Sequence, residues 1–257
     1  MKLITKRKTM AKLLGFVLLL FLPLHASQIT IAVAANVGET IGELQTLFQK
    51  AHPDITVNVI LGSSGKLSAQ IQHGAPYGLF MSANMQYPQY LYHHNLAVTK
   101  PRIYAKGLLA LFSTKKQNFS QGLKLLTSKT IRSIAIANPK TAPYGKAAFQ
   151  VLNKADLYAK IKMKLVYAES VSQCLTYART AADIGLVARA SLSSVKMKHY
   201  KQGVHWHDVN PKLYEPLNQG IVLLKPSLNN EAYQTFYDFI LSDKSQRVFQ
   251  KYGYQPL

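Results

Sequence analysis

The sequence alternates short apolar segments of strand length with amphipathic segments of helical periodicity, and this alternation constrains the fold more than any other feature. In one such unit the apolar run Ile55 to Leu61 ends at Gly62-Ser63-Ser64-Gly65-Lys66-Leu67. Apolar residues then recur at helical spacing, and Gly74 stands where a left-handed residue commonly ends a helix. The pattern predicts a strand that leads into a helix, with Ser64 at the N-cap.

The N-terminus of a helix presents unpaired backbone N–H groups and roughly half a positive charge, so it binds an anion without a basic side chain. Ser64 therefore has two interpretations, because its hydroxyl either caps the helix or turns toward a ligand. Taken alone, the stretch is more often an ordinary serine-capped helix that follows a loop. Its spacing does not fit Gly-x-Ser-x-Gly, the motif in which many hydrolases carry a serine nucleophile.

A similar junction lies earlier in the chain. The run Ile29 to Ala35 predicts a buried strand, and Asn36-Val37-Gly38-Glu39 follows it directly. Asn36 fits the N-cap of a helix, and Glu39 three residues later completes a variant of the capping box. Two successive strands are thus predicted to end at capped helix N-termini.

Two further junctions follow in the second half of the chain. The predicted strand 134–137 precedes a helix with Pro143 at its first position, and the predicted strand 164–167 precedes a helix capped by Ser170. Other strands are predicted at 79–82, 104–112, 183–188, 203–207 and 220–224, and other helices at 87–96, 231–241 and 246–252. Such alternation predicts doubly wound parallel sheets that bind ligands beyond the carboxyl ends of their strands. Two blocks of it predict two lobes with a site between them.

The N-terminal segment has the pattern of a secretory signal peptide. Five basic residues precede the apolar run Leu13 to Leu24, and Leu24-His25-Ala26 resembles a cleavage site. We therefore expect residues 1–26 to be removed after export, although an uncleaved anchor is the alternative. Ser27, which follows the proposed cut, is not the cysteine that a lipoprotein anchor requires.

Charge and composition limit the partners of the exported chain. The full sequence carries a net charge of +20, and without the five basic residues of the signal segment it has 26 Lys and Arg against 11 Asp and Glu, a net charge of +15. An exported protein does not meet nucleic acid, so we expect the charge to aid encounter with anions or an acidic membrane surface. The content of 48% hydrophobic and 16% charged residues is globular. The single cysteine, Cys174, excludes an intramolecular disulfide, and we expect it to be buried.

Two other groups of residues are weaker candidates for a site. His205 and His207 are two apart, as metal ligands on a strand can be, but no third ligand lies nearby in the sequence. Tyr252 and Tyr254 suggest ferric-ion binding, although tyrosines that pack against a terminal helix are the more common case. We find no carboxylate pair, metalloprotease motif or nucleotide phosphate loop, so no catalytic residues and no metal site are predicted.

Eight short motifs follow one another along the chain: Ala34-Ala35-Asn36, Gly62-Ser63-Ser64-Gly65-x-Leu, Gly74-Ala75-Pro76, Leu79-Phe80-Met81-Ser82-Ala83, Asn138-Pro139, Ala142-Pro143-Tyr144-Gly145, Glu169-Ser170-Val171 and Lys251-Tyr252-Gly253-Tyr254. In these motifs and their order, the chain resembles the periplasmic molybdate-binding proteins of ABC transporters. The resemblance implies the α/β, two-lobed type II periplasmic-binding-protein fold, in which each lobe is a doubly wound, mainly parallel sheet and two strands cross between the lobes. It implies a first lobe of residues 27–104 plus 217–257, a second lobe of residues 105–216, and a ligand cleft between them.

The resemblance also implies a set of molybdate ligands. Carried over by position, they are the side chain of Asn36 with the neighbouring amide of Ala35, Ser64, the amide of Tyr144 and the amide of Val171. The chain departs from the family pattern at several positions. Asn36 stands where serine is frequent, Ala188 replaces a tyrosine of some members, and Gly78 and Asn84 replace common aspartates.

The implied function is capture of molybdate, and of the nearly isosteric tungstate, in the periplasm for delivery to an inner-membrane ABC permease. The resemblance implies a monomer that needs no cofactor, does not bind nucleic acid and is not an enzyme. Molybdate is a tetrahedral dianion that only accepts hydrogen bonds, whereas phosphate near neutral pH carries protons and requires an acceptor in its site. The alternatives are a receptor for sulfate or another oxyanion, and an exported hydrolase that uses Ser64.

Overall fold

The computed structural model describes residues 27–257, and the predicted signal peptide lies outside these residues. Ten strands form two five-stranded sheets. The strands are β1 (Ser27–Ala34), β2 (Ile55–Gly62), β3 (Leu79–Ser82), β4 (Arg102–Gly107), β5 (Leu109–Phe112), β6 (Ile134–Ala137), β7 (Leu165–Ala168), β8 (Ile184–Ala188), β9 (Trp206–Asp208) and β10 (Leu217–Leu223). The first sheet has the order β2-β1-β3-β10-β4 and the second the order β7-β6-β8-β5-β9.

Helices cover the faces of both sheets. They are α1 (Gly38–Ala51), α2 (Ser64–Gln72), α3 (Gln86–His93), α4 (Pro143–Lys154), α5 (Tyr158–Ile161), α6 (Val171–Thr180), α7 (Glu231–Leu241) and α8 (Asp243–Lys251). None of the helices in residues 27–257 combines the length and apolarity that a bilayer crossing requires. The alternating strands and helices confirm the predicted α/β class with two lobes.

Both sheets are mixed rather than mainly parallel. In the first sheet β1 runs parallel to β2 and β3, while β10 runs antiparallel to β3 and β4. In the second, β6 runs parallel to β7 and β8, while β5 runs antiparallel to β8 and β9. The antiparallel pairings arise where the chain passes between the lobes, because β4 and β5 carry it across at Leu108 and β10 receives it back.

The strand predicted over 104–112 is wrong in one respect, since it is two strands in two different sheets. β4 ends at Gly107 and β5 begins at Leu109. The sequence shows no break there because the residues on both sides of the crossing are buried in their own lobes. The limits predicted for the two lobes stay a prediction.

Each lobe has its own core. In the first lobe, α1 and α7 pack on one face of the sheet, where Phe48 and Phe236 meet edge to face with ring centroids 4.9 Å apart. In the second lobe, α4 covers β6 on one face and α6 covers the other. Cys174 lies on α6 and is buried as predicted. Burial raises the pKa of its thiol, so this cysteine is an inert core residue.

Candidate functional site

In each sheet, the register of two parallel strands brings the segments that follow them to the same edge. Ala34 pairs with Gly62, so β1 and β2 end at the same level of the first sheet. Ala137 pairs with Ala168, so β6 and β7 end at the same level of the second sheet. A 3₁₀ turn (Ala35–Val37) follows β1, and α2, α4 and α6 begin just after the other three strands. Four helical N-termini therefore lie at the carboxyl edges of the two sheets.

Contacts between the lobes join these N-termini across the cleft. The backbone N–H of Gly65, in the first turn of α2, donates to the carbonyl of Thr141 just before α4, at 2.8 Å. The Ser172 hydroxyl, in the first turn of α6, donates to the Ala35 carbonyl at 2.6 Å. The cleft is thus closed, with the N-terminus of α2 against that of α4 and the 3₁₀ turn against α6.

The structure places all the predicted ligand residues in this region and buries them. Their exposed fractions are 7% for Ala35, 2% for Asn36, 1% for Ser64, 1% for Tyr144 and 5% for Val171. Ser64 and Val171 are the first residues of their helices and Tyr144 is the second of its helix. The N–H groups of such residues have no acceptor within their own helix. The arrangement therefore brings backbone donors from both lobes to one buried region.

The side chain of Ser64 does not cap its helix as predicted. Ser64 is itself the first residue of α2, and Ser63 occupies the N-cap position without a side-chain cap bond. The Ser64 Oγ instead accepts from the backbone N–H of Ala83 at 2.9 Å, just after β3. With its oxygen held by that donor, the Ser64 hydroxyl keeps its proton for another acceptor. The Ser63 hydroxyl is buried and finds no hydrogen-bond partner among residues 27–257.

Asn36 is likewise not an N-cap. It lies within the 3₁₀ turn, and α1 begins at Gly38 without a side-chain cap bond. Its Nδ2 donates to the Oε1 of Gln219 at 2.8 Å and to the Oη of Tyr254 at 2.9 Å. Both amide protons are therefore used inside the first lobe, and the donor predicted for this side chain is already engaged. The backbone N–H groups of the turn remain as the donors of this segment.

The local sequence predicted neither Gln219 nor Tyr254 as part of the site. The Tyr254 hydroxyl also donates to the backbone carbonyl of Asn36 at 3.1 Å. Burial raises the pKa of Tyr254, so its hydroxyl stays protonated and both bonds persist at neutral pH. The only sequence signal for Tyr254 was its place in the last of the eight motifs, where ferric binding and terminal packing were the interpretations.

Basic side chains near the cleft are engaged in exposed ion pairs. Lys66 on α2 pairs with Glu169 of the second lobe at 2.6 Å, and both side chains are about half exposed, at 53% and 55%. Lys146 on α4 pairs with Glu215 at 3.0 Å, and its hydrogen bond lowers the pKa of that carboxyl group. Both lysines thus lie at the surface with acidic partners, as expected for side chains that point away from the helix N-termini.

The other positions singled out in the sequence are accounted for by packing. A Cβ on Gly78 would lie 2.2 Å from the Cζ of Tyr233, so the tyrosine ring occupies the space that an aspartate would need. Ala188 is fully buried at the end of β8 and brings no polar group. His205 accepts from the backbone N–H of Lys201 through its Nδ1. Within residues 27–257, no three or more His, Cys, Asp or Glu side chains are grouped so that they could hold a metal ion.

Two lobes that close over converging helix N-termini define a class of protein, a two-lobed solute-binding protein with an anion-compatible cleft. The model of the bacterial extracellular solute-binding protein family matches residues 29–255, and the chain belongs to this family. The members of this family bind and carry solutes rather than catalyse reactions. This membership confirms the prediction of a binding protein that is not an enzyme.

Individual relatives support the same assignment over almost the whole chain. The protein is 34% identical to the molybdate-binding protein ModA of Rhodobacter capsulatus over 247 residues, which cover 95% of this chain and 94% of the relative. It is 35% identical to the molybdate-binding protein ModA of Azotobacter vinelandii over 234 residues, which cover 90% of each. The solved periplasmic molybdate-binding protein of Azotobacter vinelandii superposes with a TM-score of 0.82 at 31% identity, covering 89% of this chain and 99% of that structure. These similarities confirm the predicted family and its two-lobed fold.

Proposed function

We propose that the protein captures molybdate, and with it tungstate, in the periplasm and delivers the anion to an ABC permease of the inner membrane. The names of its relatives point to molybdate, and one observation on this chain carries the proposal. Hydrogen-bond donors from both lobes converge in a closed cleft without a lysine or arginine among the proposed ligands. The protein would act as a monomer after removal of the signal peptide, with the anion as cargo and no cofactor.

The proposed ligands are the backbone N–H groups of Ala35, Asn36, Tyr144 and Val171, with the hydroxyl of Ser64. Each is a donor, and molybdate presents an acceptor at every oxygen. Hydrogen bonds to a charged group contribute roughly 1.5–3 kcal/mol each, so a few well-placed donors offset the cost of removing a dianion from water. The partial positive charge of the helix N-termini adds to this attraction.

Phosphate gives the sharpest contrast with molybdate. A protonated oxyanion needs an acceptor, and the proposed ligands are donors. One buried acceptor, the Oδ1 of Asn36, has no hydrogen-bond partner among the described residues. Binding of phosphate would therefore point to this oxygen as its partner. Sulfate is fully ionised like molybdate, so only the size of the cleft and the spacing of the donors distinguish the two dianions.

Within the described part of the chain, the alternative of a serine hydrolase lacks a base hydrogen-bonded to Ser64. A serine nucleophile requires a neighbouring group that accepts its proton. The hydrogen-bond partner of the Ser64 Oγ in residues 27–257 is the N–H of Ala83, which is a donor. We therefore expect Ser64 to donate to a bound anion and not to attack a substrate.

Thermal unfolding with and without anions tests the proposal. An anion that binds only the folded state adds about 2.7 kcal/mol of stability at about a hundred times its Kd. For a chain of this size, that corresponds to a rise in Tm of roughly 5–10 °C. We expect molybdate and tungstate to produce this rise in the mature protein, and sodium phosphate and sodium chloride at equal concentration to produce none. An equal response to phosphate, or none to any oxyanion, contradicts the proposal.

A further inference from the structure

Gln219 lies where the two lobes are joined. It belongs to β10, the strand that returns the chain to the first sheet, and it is fully buried. The pairing of β10 with β4 shifts register between Gln219 and Gly220. Such irregularities re-aim side chains, and a buried amide is costly unless its groups are hydrogen-bonded. The amide of Gln219 therefore needs partners for both its nitrogen and its oxygen.

The hydrogen bonds of Gln219 fix its orientation and, through it, that of Asn36. Its Nε2 donates to the carbonyls of Leu217 at 3.0 Å and Ala83 at 3.4 Å. Because both partners are acceptors, the amide nitrogen must face them, and Oε1 is left to face Asn36. Asn36 must then present its own Nδ2, which it shares between Gln219 and Tyr254. The turn that follows β1 is thereby tied to β10.

The same side chain also adjoins the second lobe. Gly107, the last residue of β4, pairs with Leu217 of β10. A Cβ on Gly107 would lie 2.2 Å from the Oη of Tyr144 and 2.7 Å from the Nε2 of Gln219, so both side chains approach the point where the chain leaves the first lobe. The backbone N–H of Tyr144 is one of the proposed ligands. Gln219 therefore bonds to a donor segment of the first lobe and lies near the Tyr144 side chain of the second.

We infer that Gln219 is a positioning residue of the anion site, which holds the Asn36 turn in register with the strands that join the lobes. Gln219 does not itself touch the anion in this arrangement. It aligns the backbone donors of the Asn36 turn, so a change at the junction of the lobes alters affinity directly. This inference rests on the proposed function, because it concerns the same site.

Isothermal titration of the full mature chain with molybdate tests the inference. Gln219→Met keeps the volume and apolar stem but leaves the Nδ2 of Asn36 short of an acceptor, and we expect Kd to rise about tenfold or more. The control is Gln246→Leu on α8, which removes a comparable bond to the Tyr104 carbonyl in the first lobe. It should lower Tm while Kd stays within about twofold of the wild type.

A double variant separates positioning from a general loss of stability. If Gln219 acts through Asn36, Gln219→Met combined with Asn36→Ala should weaken binding no more than the more damaging single change. Multiplication of the two effects overturns the inference, as does a Gln219→Met Kd within about threefold of the wild type. Should Gln219→Met fail to fold, Asn36→Ala alone removes the same bond from its other end. Unchanged affinity in that variant also overturns the inference.

The wild-type titration distinguishes this inference from the proposed function. If the wild type binds molybdate and the Gln219 variants bind it equally well, only the positioning role is refuted. If the wild type binds sulfate or another oxyanion instead, molybdate is the wrong cargo, and the same variants are compared with the anion that binds. If the wild type binds no oxyanion, both conclusions fall.

Discussion

Gly65 offers the most direct way to test whether closure of the cleft is part of anion binding. It lies in the first turn of α2, where its N–H donates to the Thr141 carbonyl of the second lobe. A Cβ at this position would lie 2.7 Å from that carbonyl oxygen and 2.7 Å from the Oη of Tyr87. The backbone of Gly65 is not left-handed, so alanine is sterically acceptable to its own helix. The substitution Gly65→Ala therefore acts on the contact between the lobes.

The expected loss of affinity follows from this geometry. Ordinary contact begins at 3.4 Å, so the carbonyl of Thr141 must retreat by about 0.7 Å from its 2.7 Å approach to the new methyl group. The hydrogen bond between the lobes is then lost, at about 0.5–1.5 kcal/mol. Thr141 is three residues before Tyr144, so a donor to the anion is displaced as well, at roughly 1.5–3 kcal/mol. A total of about 2–4.5 kcal/mol corresponds to a Kd raised ~30-fold to ~1,600-fold.

Isothermal titration with molybdate measures this effect, and Gly42→Ala is the matched control. A Cβ on Gly42 would meet nothing within 4 Å, and Gly42 lies within α1, so alanine there should leave Kd unchanged and stabilise the helix slightly. The Tm of Gly65→Ala without anion should stay close to that of the wild type, because the clash with Thr141 lies between the lobes and the Tyr87 hydroxyl is the far end of a side chain that can turn aside. If Gly65→Ala binds molybdate as tightly as Gly42→Ala, the closed contact is not part of the bound state.

Three further predictions concern the donors, the surface charges and pH. Ser64→Ala should raise the Kd for molybdate about tenfold or more, and Tyr144→Phe should leave it nearly unchanged because only the backbone N–H is assigned; titration showing the reverse order refutes both assignments. Lys66→Ala should change the Kd for molybdate less than about fivefold in titration. For the wild type, raising NaCl from about 0.05 M to 0.5 M should slow association with molybdate but not dissociation in stopped-flow measurements. Burial raises the pKa of Asp183, but hydrogen bonds from the N–H of Arg132 and other donors lower it more, to a net value below the ordinary one. Its contribution to stability is therefore present at neutral pH and is lost in acid as the carboxylate is protonated. Asp183→Asn should lower Tm at pH 7 and reduce the fall of Tm as the pH is lowered into the acid range. A fall of Tm in acid as steep as that of the wild type refutes this role.

The sequence predicted those elements whose limits are set by residues close to them in the chain. The strand 134–137 and the helix 231–241 have the predicted bounds, because an apolar run or periodicity in each ends at clear turn or capping residues. Ser170 caps α6 as predicted, with its hydroxyl accepting from the N–H of Gln173. Gly74 has a φ of +85° at the end of α2, also as predicted. These features depend on neighbours within a few residues of one another.

The features that the sequence did not predict depend on partners far along the chain. Asn36 has the local signature of an N-cap, yet its amide is claimed by Gln219 and Tyr254, which are 183 and 218 residues away. Lys66 has no acidic neighbour on its own helix but meets Glu169 across the cleft, 103 residues away. Period and capping rules carry no information on such pairs. The positions of the candidate ligands were predicted by resemblance to a family, and the hydrogen bonds that orient them emerge only from the folded chain.

The distribution of charge is consistent with a carrier that attracts its cargo and must also release it. Residues 108–216 hold 17 Lys and Arg against 5 Asp and Glu, a net charge of +12, whereas the rest of the described chain carries +3. The second lobe is thus strongly basic, but the proposed ligands it brings to the cleft are backbone N–H groups. A lysine beside the anion would keep its attraction at any separation of the lobes that its flexible stem could span. Backbone donors from two lobes no longer point at the same anion once the lobes part, so opening the cleft weakens several hydrogen bonds together. The surface lysines and arginines then speed capture of the anion, while the helix N-termini inside the cleft retain it only as long as the cleft is closed.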